Sequence, residues 1–173
     1  MTDDQFMANG QPVGLTMTGY REWFARNQRI GTFKTSVMEY CVGKQLAGLE
    51  TPYCSLYRIG CMDDQLSDDG VRVELRWSEW TWTTDAAKRN SVSFPLMVVS
   101  WPDIILFGLH DTSDRYHPVL DLDAWDFYSV SCSRMRDAYG CADRISLQGI
   151  LKLRPVWSDY NGIPEALAKA QDA

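Results

Sequence analysis

Two charged residues that could act together on a phosphate lie two positions apart in the segment 71–77. Successive side chains of an extended strand alternate between its faces, so Glu74 and Arg76 point to the same side. A turn-rich acidic stretch, 63–70, supplies a second carboxylate one hairpin away. Two carboxylates beside a cation could hold a divalent metal next to a phosphate group. The same alternation also fits the hydrated face of an edge strand, where such charges contribute little energy.

The segments around these charges predict a sheet. The run Ile-Ile-Leu-Phe-Gly-Leu at 104–109 is apolar throughout, which is typical of a buried central strand. The predicted extended segments are 53–59, 71–83, 91–99, 103–110 and 125–132. Helical patterns precede and follow them, and this order favours an α/β or α+β layer with a mixed sheet.

Apolar residues at helical spacing predict two helices before the strands. One begins near Thr18, and the other carries an apolar stripe over 37–46, with Glu39 beside that stripe. Residues 1–14 are polar and contain Gly and Pro, which predicts a loose arm. Further helices are predicted at 133–139, 146–153 and 165–171. No repeat or linker divides the chain, so we expect a single domain over residues 1–173.

Five short motifs occur in order along residues 35–155. They are Met-Glu-Tyr-Cys-Val-Gly at 38–43, Asp64 followed by Asp-Gly-Val-Arg-Val-Glu-Leu at 69–75, Ile-Ile-Leu-Phe at 104–107, Asp-Leu-Asp-Ala-Trp-Asp-Phe-Tyr at 121–128, and Ile-Ser-Leu at 145–147 with Leu-Lys-Leu at 151–153. In this register the chain resembles a bacterial group of the PD-(D/E)XK, or restriction-endonuclease-like, nucleases. The resemblance implies a central mixed β-sheet flanked by helices and a hydrolase that cleaves DNA.

The resemblance also assigns roles to individual residues. It implies that Asp64 and Glu74 are metal ligands, with the carbonyl of Leu75 as a third. It implies that Glu39 supplies a helix-borne carboxylate to the metal or its water, and that Arg76 stands beside the attacked phosphate. Hard oxygen ligands favour Mg²⁺ or Mn²⁺. In this superfamily the metal activates water and neutralises charge on the phosphate.

Two positions depart from the pattern of the family. Arg76 stands where the family has Lys, and Trp82 stands where it usually has Gln. Arginine can bind a phosphate with two parallel hydrogen bonds, but it cannot act as a base. Lys88 could take over the role of the missing lysine. The resemblance therefore leaves two hypotheses: a Mg²⁺-dependent nuclease, or a nuclease-derived domain that has lost catalysis.

The second hypothesis predicts a protein that works by association. Such a domain would bind a protein partner, for example as a subunit of a defence system or as a phage-encoded inhibitor. The first hypothesis predicts DNA as the partner, and it also admits a homodimer, since many restriction-like nucleases dimerise to cut both strands.

The charge of the chain restricts how it could bind a polyanion. The net charge is −6 and the isoelectric point is near 4.8. This argues against non-specific binding of nucleic acid by the whole surface. If DNA binds, we expect backbone contacts from three local basic groups: Arg21, Arg26, Arg29 and Lys34; Lys88 and Arg89; and Arg134 and Arg136.

The five cysteines are odd in number and include no Cys-x-x-Cys pair. They are expected to be reduced and mostly buried, and their spacings do not fit a zinc site. The polar N-terminus and the lack of a long apolar run predict a cytoplasmic protein with no membrane partner. The segment from His110 to His117 reads as a loop leaving a central strand, with metal binding as the alternative.

Overall fold

A computed structural model of the chain describes residues 4–27, 33–47, 57–59, 71–80, 92–96, 102–111, 120–140 and 142–173. The strands within these residues are β1 (Gln5–Ala8), β2 (Gln11–Thr16), β3 (Tyr57–Ile59), β4 (Val71–Trp80), β5 (Ser93–Pro95), β6 (Ile104–Asp111), β7 (Trp125–Ser131), β8 (Arg144–Ser146) and β9 (Val156–Ser158). The helices are α1 (Met17–Asn27), α2 (Phe33–Ala47), α3 (Cys132–Tyr139), α4 (Leu147–Lys152) and α5 (Ile163–Gln171). A 3-10 turn, Leu122–Ala124, precedes β7.

The central sheet has five strands in the order β3-β4-β6-β7-β9. The pairs β3/β4 and β4/β6 are parallel, whereas β6/β7 and β7/β9 are antiparallel. The apolar run at 104–109 lies in β6 at the middle of the sheet, where every residue from Ile104 to His110 is buried. The predicted mixed sheet with flanking helices is therefore confirmed.

The sheet has two buried faces. The first face packs against β1, α1, α2 and α5, and we call its buried hydrophobic residues the first cluster. Its members include Phe6, Tyr20, Met38, Val73, Leu106, Phe127 and Leu167. The second face packs against β5, β8, α3 and α4 through a smaller second cluster. Its members include Phe94, Ile105, Phe107, Val130, Met135, Ile145 and Ile150.

The N-terminal segment is part of the fold, so the prediction of a loose arm over 1–14 was wrong for the described residues 4–14. Strands β1 and β2 form an antiparallel hairpin, and the side chain of Phe6 is fully buried in the first cluster. The turn uses Asn9 and Gly10, both with positive φ (52° and 67°), which suits a tight hairpin. Their amides donate to the carboxylate of Asp123, at 2.6 and 3.3 Å. These hydrogen bonds join residues more than 110 positions apart, so the polar composition of the segment could not predict them.

The predicted helices agree with the structure in position. The apolar stripe at 37–46 lies on α2, and its residues Met38, Cys41 and Val42 are fully buried in the first cluster. The pieces predicted at 133–139 and 146–153 correspond to α3 and α4. The terminal helix α5 has Pro164 in its first turn, as its sequence predicts.

Candidate functional site

The side of β4 that carries Glu74 and Arg76 faces the second cluster. Residues Val73 and Leu75 pack against the first cluster, so Glu74 and Arg76 point to the second face. On the neighbouring strand β6 their register partners are Ile105 and Phe107, which belong to the second cluster. Within the described residues, β3 pairs with β4 only at Val71–Val73, but the side chains of Glu74 and Arg76 are largely buried, so the alternative of a hydrated strand face is wrong.

Glu74 and Arg76 form an ion pair that is largely removed from solvent. The guanidinium of Arg76 donates to Oε1 of Glu74, and the two side chains are only 17% and 19% exposed for Glu74 and Arg76, respectively. The other carboxylate oxygen, Oε2 of Glu74, is buried and has no hydrogen-bond partner among the described residues. The carboxylate therefore has one oxygen held by a cation and one oxygen open to a further ligand.

The electrostatics of Glu74 show that Arg76 does not fully compensate its burial. Burial raises the pKa of the Glu74 carboxyl, and this effect outweighs the charge and hydrogen bond of Arg76, which lower it. A neutral carboxyl is thus favoured more than in a solvent-exposed glutamate. A second cation near Oε2 would stabilise the ionised form.

The rest of the implied metal site is only partly visible. Asp64, Trp82 and Lys88 lie outside the described residues. Leu75 is described, and its side chain packs against the first cluster. Strands β3 and β4, which flank the segment 60–70, run parallel, so the hairpin predicted between them was wrong. Parallel neighbours need a crossover connection rather than a tight turn.

Glu39 lies on the other side of the sheet from Glu74. It is half-buried on α2, whose neighbouring residues Met38 and Cys41 are buried in the first cluster. Placing Glu74 on that face would need a one-residue shift in the alternation of β4, which would move Val73 out of the first cluster to the second face. The structure therefore does not bring Glu39 and Glu74 onto one face.

Cys132 lies near the ion pair but is not a nucleophile. It is 5% exposed within the second cluster, and its amide donates to the carbonyl of Asp103 at 2.8 Å. The pKa of its thiol is raised to about 11, mainly by burial; Arg136 and Arg72 act to lower it, and Glu74 and Asp103 act to raise it. The thiol is therefore protonated at neutral pH. Cys41 and Cys132 are free and buried, as predicted, while the other three cysteines lie outside the described residues.

His110 is a buried strand residue. It is 2% exposed at the end of β6, and its ring stacks on that of Trp125 with centroids 4.4 Å apart. Its place in β6 agrees with the extended segment predicted over 103–110, and His117 lies outside the described residues. Within the described ranges, no group of three or more His, Cys, Asp or Glu side chains could hold a metal ion.

The basic groups expected to contact DNA are partly engaged within the protein. Arg134 donates to the carbonyl oxygens of Leu153, Arg154 and Ala173, at 3.2, 3.4 and 2.7 Å. On α1, Arg26 lies 3.7 Å from Glu22. Lys88 and Arg89 lie outside the described residues. The sequence did not single out the segment around β9, which carries an exposed tryptophan.

Comparison of the chain with protein-family models, curated proteins and solved structures finds no match. The PD-(D/E)XK resemblance thus rests on the five motifs and stays a prediction. In the described part of the chain, no helix is both long enough and apolar enough to cross a membrane.

Proposed function

We propose that this protein is a nuclease-like phosphodiester hydrolase whose centre lies on the second face of β4. In this proposal Glu74 holds a divalent cation and Arg76 contacts the phosphate of DNA. The observation that supports it is the state of the Glu74 carboxylate. One oxygen is held by Arg76, the other is buried without a hydrogen-bond partner among the described residues, and the pKa is raised.

A divalent cation fits this carboxylate on chemical grounds. Mg²⁺ prefers carboxylate oxygens, and a cation beside Oε2 would offset the burial that raises the pKa of Glu74. One carboxylate does not complete a site, and the resemblance assigns a second to Asp64. When bound, the metal would supply Lewis-acid stabilisation of the phosphate charge.

Arg76 has a defined role in this proposal. Its guanidinium carries several N–H donors in a fixed plane, so it can hold Glu74 and a phosphate oxygen together or exchange one for the other. Half-burial strengthens such contacts, because water competes less for the charges. Arg76 orients and stabilises the phosphate and takes no proton, since its guanidinium stays charged.

A second candidate function has its own supporting observation. Arg76 already binds Oε1 of Glu74, so the ion pair can be a permanent internal contact that has replaced metal binding. In that case the protein is a nuclease-derived domain that acts by binding a protein partner.

The deciding experiment compares cleavage of plasmid and linear DNA by pure protein with Mg²⁺ or Mn²⁺, and with EDTA. We expect metal-dependent cleavage that falls at least 100-fold in Glu74→Gln and in Asp64→Asn. Glu165→Gln, an exposed carboxylate on α5, is the matched control and should keep full activity. A parallel thermal melt should show that Mn²⁺ raises Tm in the wild type and not in Glu74→Gln.

The outcomes separate the two candidates. Absence of both cleavage and a Mn²⁺-dependent rise in Tm would overturn the nuclease proposal. Cleavage that appears only in Arg76→Lys would show that catalysis was lost at that position. Capture of a stable protein partner with equal yield by wild type and Glu74→Gln would then support the binding domain.

A further inference from the structure

Trp157 is the most exposed large hydrophobic residue in the described part of the chain. Its side chain is 59% exposed on β9, and Leu151, at 42%, is the other large hydrophobic residue exposed there. The indole N–H of Trp157 donates to Oδ1 of Asp126 at 2.7 Å. This bond fixes one edge of the ring, so the indole is held in a defined orientation while most of it stays in solvent. An oriented exposed tryptophan is a ready stacking surface.

Trp157 lies on the same face of the sheet as the Glu74–Arg76 ion pair. Register partners connect them across four strands: Arg76 lies beside Phe107, Phe107 beside Tyr128, and Tyr128 beside Trp157. Three strand spacings place the backbones of Arg76 and Trp157 about 14 Å apart. Phe107, which lies between them, is a fully buried member of the second cluster. This part of the cluster therefore separates the ion pair from Trp157.

The chain that precedes Trp157 is positively charged, unlike the protein as a whole, although Asp126 bonds the indole and Asp159 follows two residues later. Segment 144–158 contains three cations and no carboxylate, whereas the net charge of the chain is −6. Lys152 and Arg154 are exposed, and neither side chain forms an ion pair among the described residues. Arg154 and Trp157 are three positions apart in the chain, so their Cα atoms are at most about 11 Å apart.

The turn that presents these cations is held in an uncommon conformation. Arg154 has a positive φ of 52°, which side chains other than glycine rarely adopt. The guanidinium of Arg134 donates to the carbonyl oxygen of Leu153, which precedes Arg154, and to that of Arg154 itself. A tethered turn thus places Lys152 and Arg154 immediately before the exposed indole.

We infer that Trp157, Lys152 and Arg154 form a binding platform for single-stranded nucleic acid. An unpaired base stacks on the indole, and the flanking phosphates contact the two cations. The base must be unpaired because the faces of paired bases are covered by their neighbours. The local positive charge selects an anionic polymer over a neutral apolar peptide. This inference rests on the proposed function for DNA as the ligand, and it adds the strand state and the residues that hold the strand.

The test measures binding without catalysis. Fluorescence anisotropy of a labelled 20-nucleotide oligothymidine, and of a duplex of equal length, is followed in EDTA at low salt. We expect tighter binding of the single strand than of the duplex. Trp157→Ala should weaken single-strand binding by roughly 10-fold or more, and Trp157→Phe should restore most of it. Lys152→Gln with Arg154→Gln should reduce the slope of log K against log salt by about 1.4, or 0.7 for each lost phosphate contact.

Matched controls keep the inference separate from the nuclease proposal. Lys169→Gln removes an exposed cation on α5 and should bind like the wild type, and the EDTA in the assay keeps binding independent of metal-dependent cleavage. Unchanged binding in Trp157→Ala, equal binding of the duplex, or no binding by the wild type would each overturn the platform. Circular dichroism should show an unchanged Tm for Trp157→Ala, because its ring is mostly in solvent.

Discussion

The two faces of the central sheet differ in what they bury. The first face is covered by three helices and the N-terminal hairpin, and strand β4 contributes the apolar side chains of Val71, Val73, Leu75 and Trp77 to its packing. The second face is covered by shorter elements, and β4 contributes Glu74 and Arg76 to it. One strand thus serves both faces, because its side chains alternate.

The first face thus mainly stabilises the fold, whereas the second face also holds the charged pair of Glu74 and Arg76. On the first face, the hydroxyl of Tyr160 donates to the carbonyl of Cys41 at 2.8 Å, and the buried polar atoms without a hydrogen-bond partner among the described residues include the neutral hydroxyls of Ser129 and Ser158. On the second face, the carboxylate of Glu74 has a raised pKa and one buried oxygen without a hydrogen-bond partner in the described part of the chain, at some cost in stability. Such under-compensated groups are characteristic of functional sites.

The largest effect is expected from a truncation on the first face. Phe6→Ala should lower the free energy of unfolding by about 3–5 kcal/mol, because a fully buried ring is replaced by a cavity. Urea unfolding followed by circular dichroism measures this. A loss below about 1 kcal/mol would mean that the hairpin does not pack into the first cluster.

A smaller loss is expected when the ion pair on the second face is broken. Arg76→Met should destabilise the protein by about 2–3 kcal/mol, because it leaves Glu74 buried without its cation. The double variant Glu74→Gln with Arg76→Met should come within about 1 kcal/mol of the wild type, since no buried charge is left alone. Equal losses in the single and double variants would show that Arg76 contributes by packing and not by charge.

The raised pKa of Glu74 predicts a definite sign of pH dependence. The folded state binds this proton more tightly than the unfolded state. The stabilising contribution of the protonated carboxyl is therefore present below the unfolded pKa and is lost as pH rises through the folded pKa. The difference in unfolding free energy between wild type and Glu74→Gln should fall between about pH 4 and the folded pKa. A difference that instead rises with pH would mean that the effect of Arg76 outweighs that of burial, so that the folded pKa of Glu74 is lowered.

The smallest effect compares two serines that begin helices on the second face. Ser146 accepts a hydrogen bond from the amide of Gly149 at 3.1 Å, whereas Ser131 makes no side-chain capping bond. Ser146→Ala should cost about 1 kcal/mol, and Ser131→Ala should cost almost nothing. Denaturant midpoints at a constant m-value measure both, and equal losses would contradict the difference in capping.

Much of the fold follows from local patterns in the sequence. The apolar run of β6, the stripe of α2 and the proline of α5 each predict their element, because burial and backbone geometry restrict the residues allowed there. The short strands β1, β8 and β9 were not predicted as strands. Each has three or four residues, so its hydrophobic pattern is too short to be distinguished from a loop, and the partners of β8 and β9 lie far along the chain.

In the candidate site, too, some features follow from the local sequence and others depend on the tertiary structure. The sequence alone determined that Glu74 and Arg76 share one side of a strand, because alternation is a property of the extended backbone. Only the tertiary structure decided that this side is the second face, largely buried and opposite the helix that carries Glu39. It also brought Trp157 into register with Arg76 across four strands. Which segments become neighbours depends on packing and strand pairing over the whole chain, and a local pattern does not contain that information.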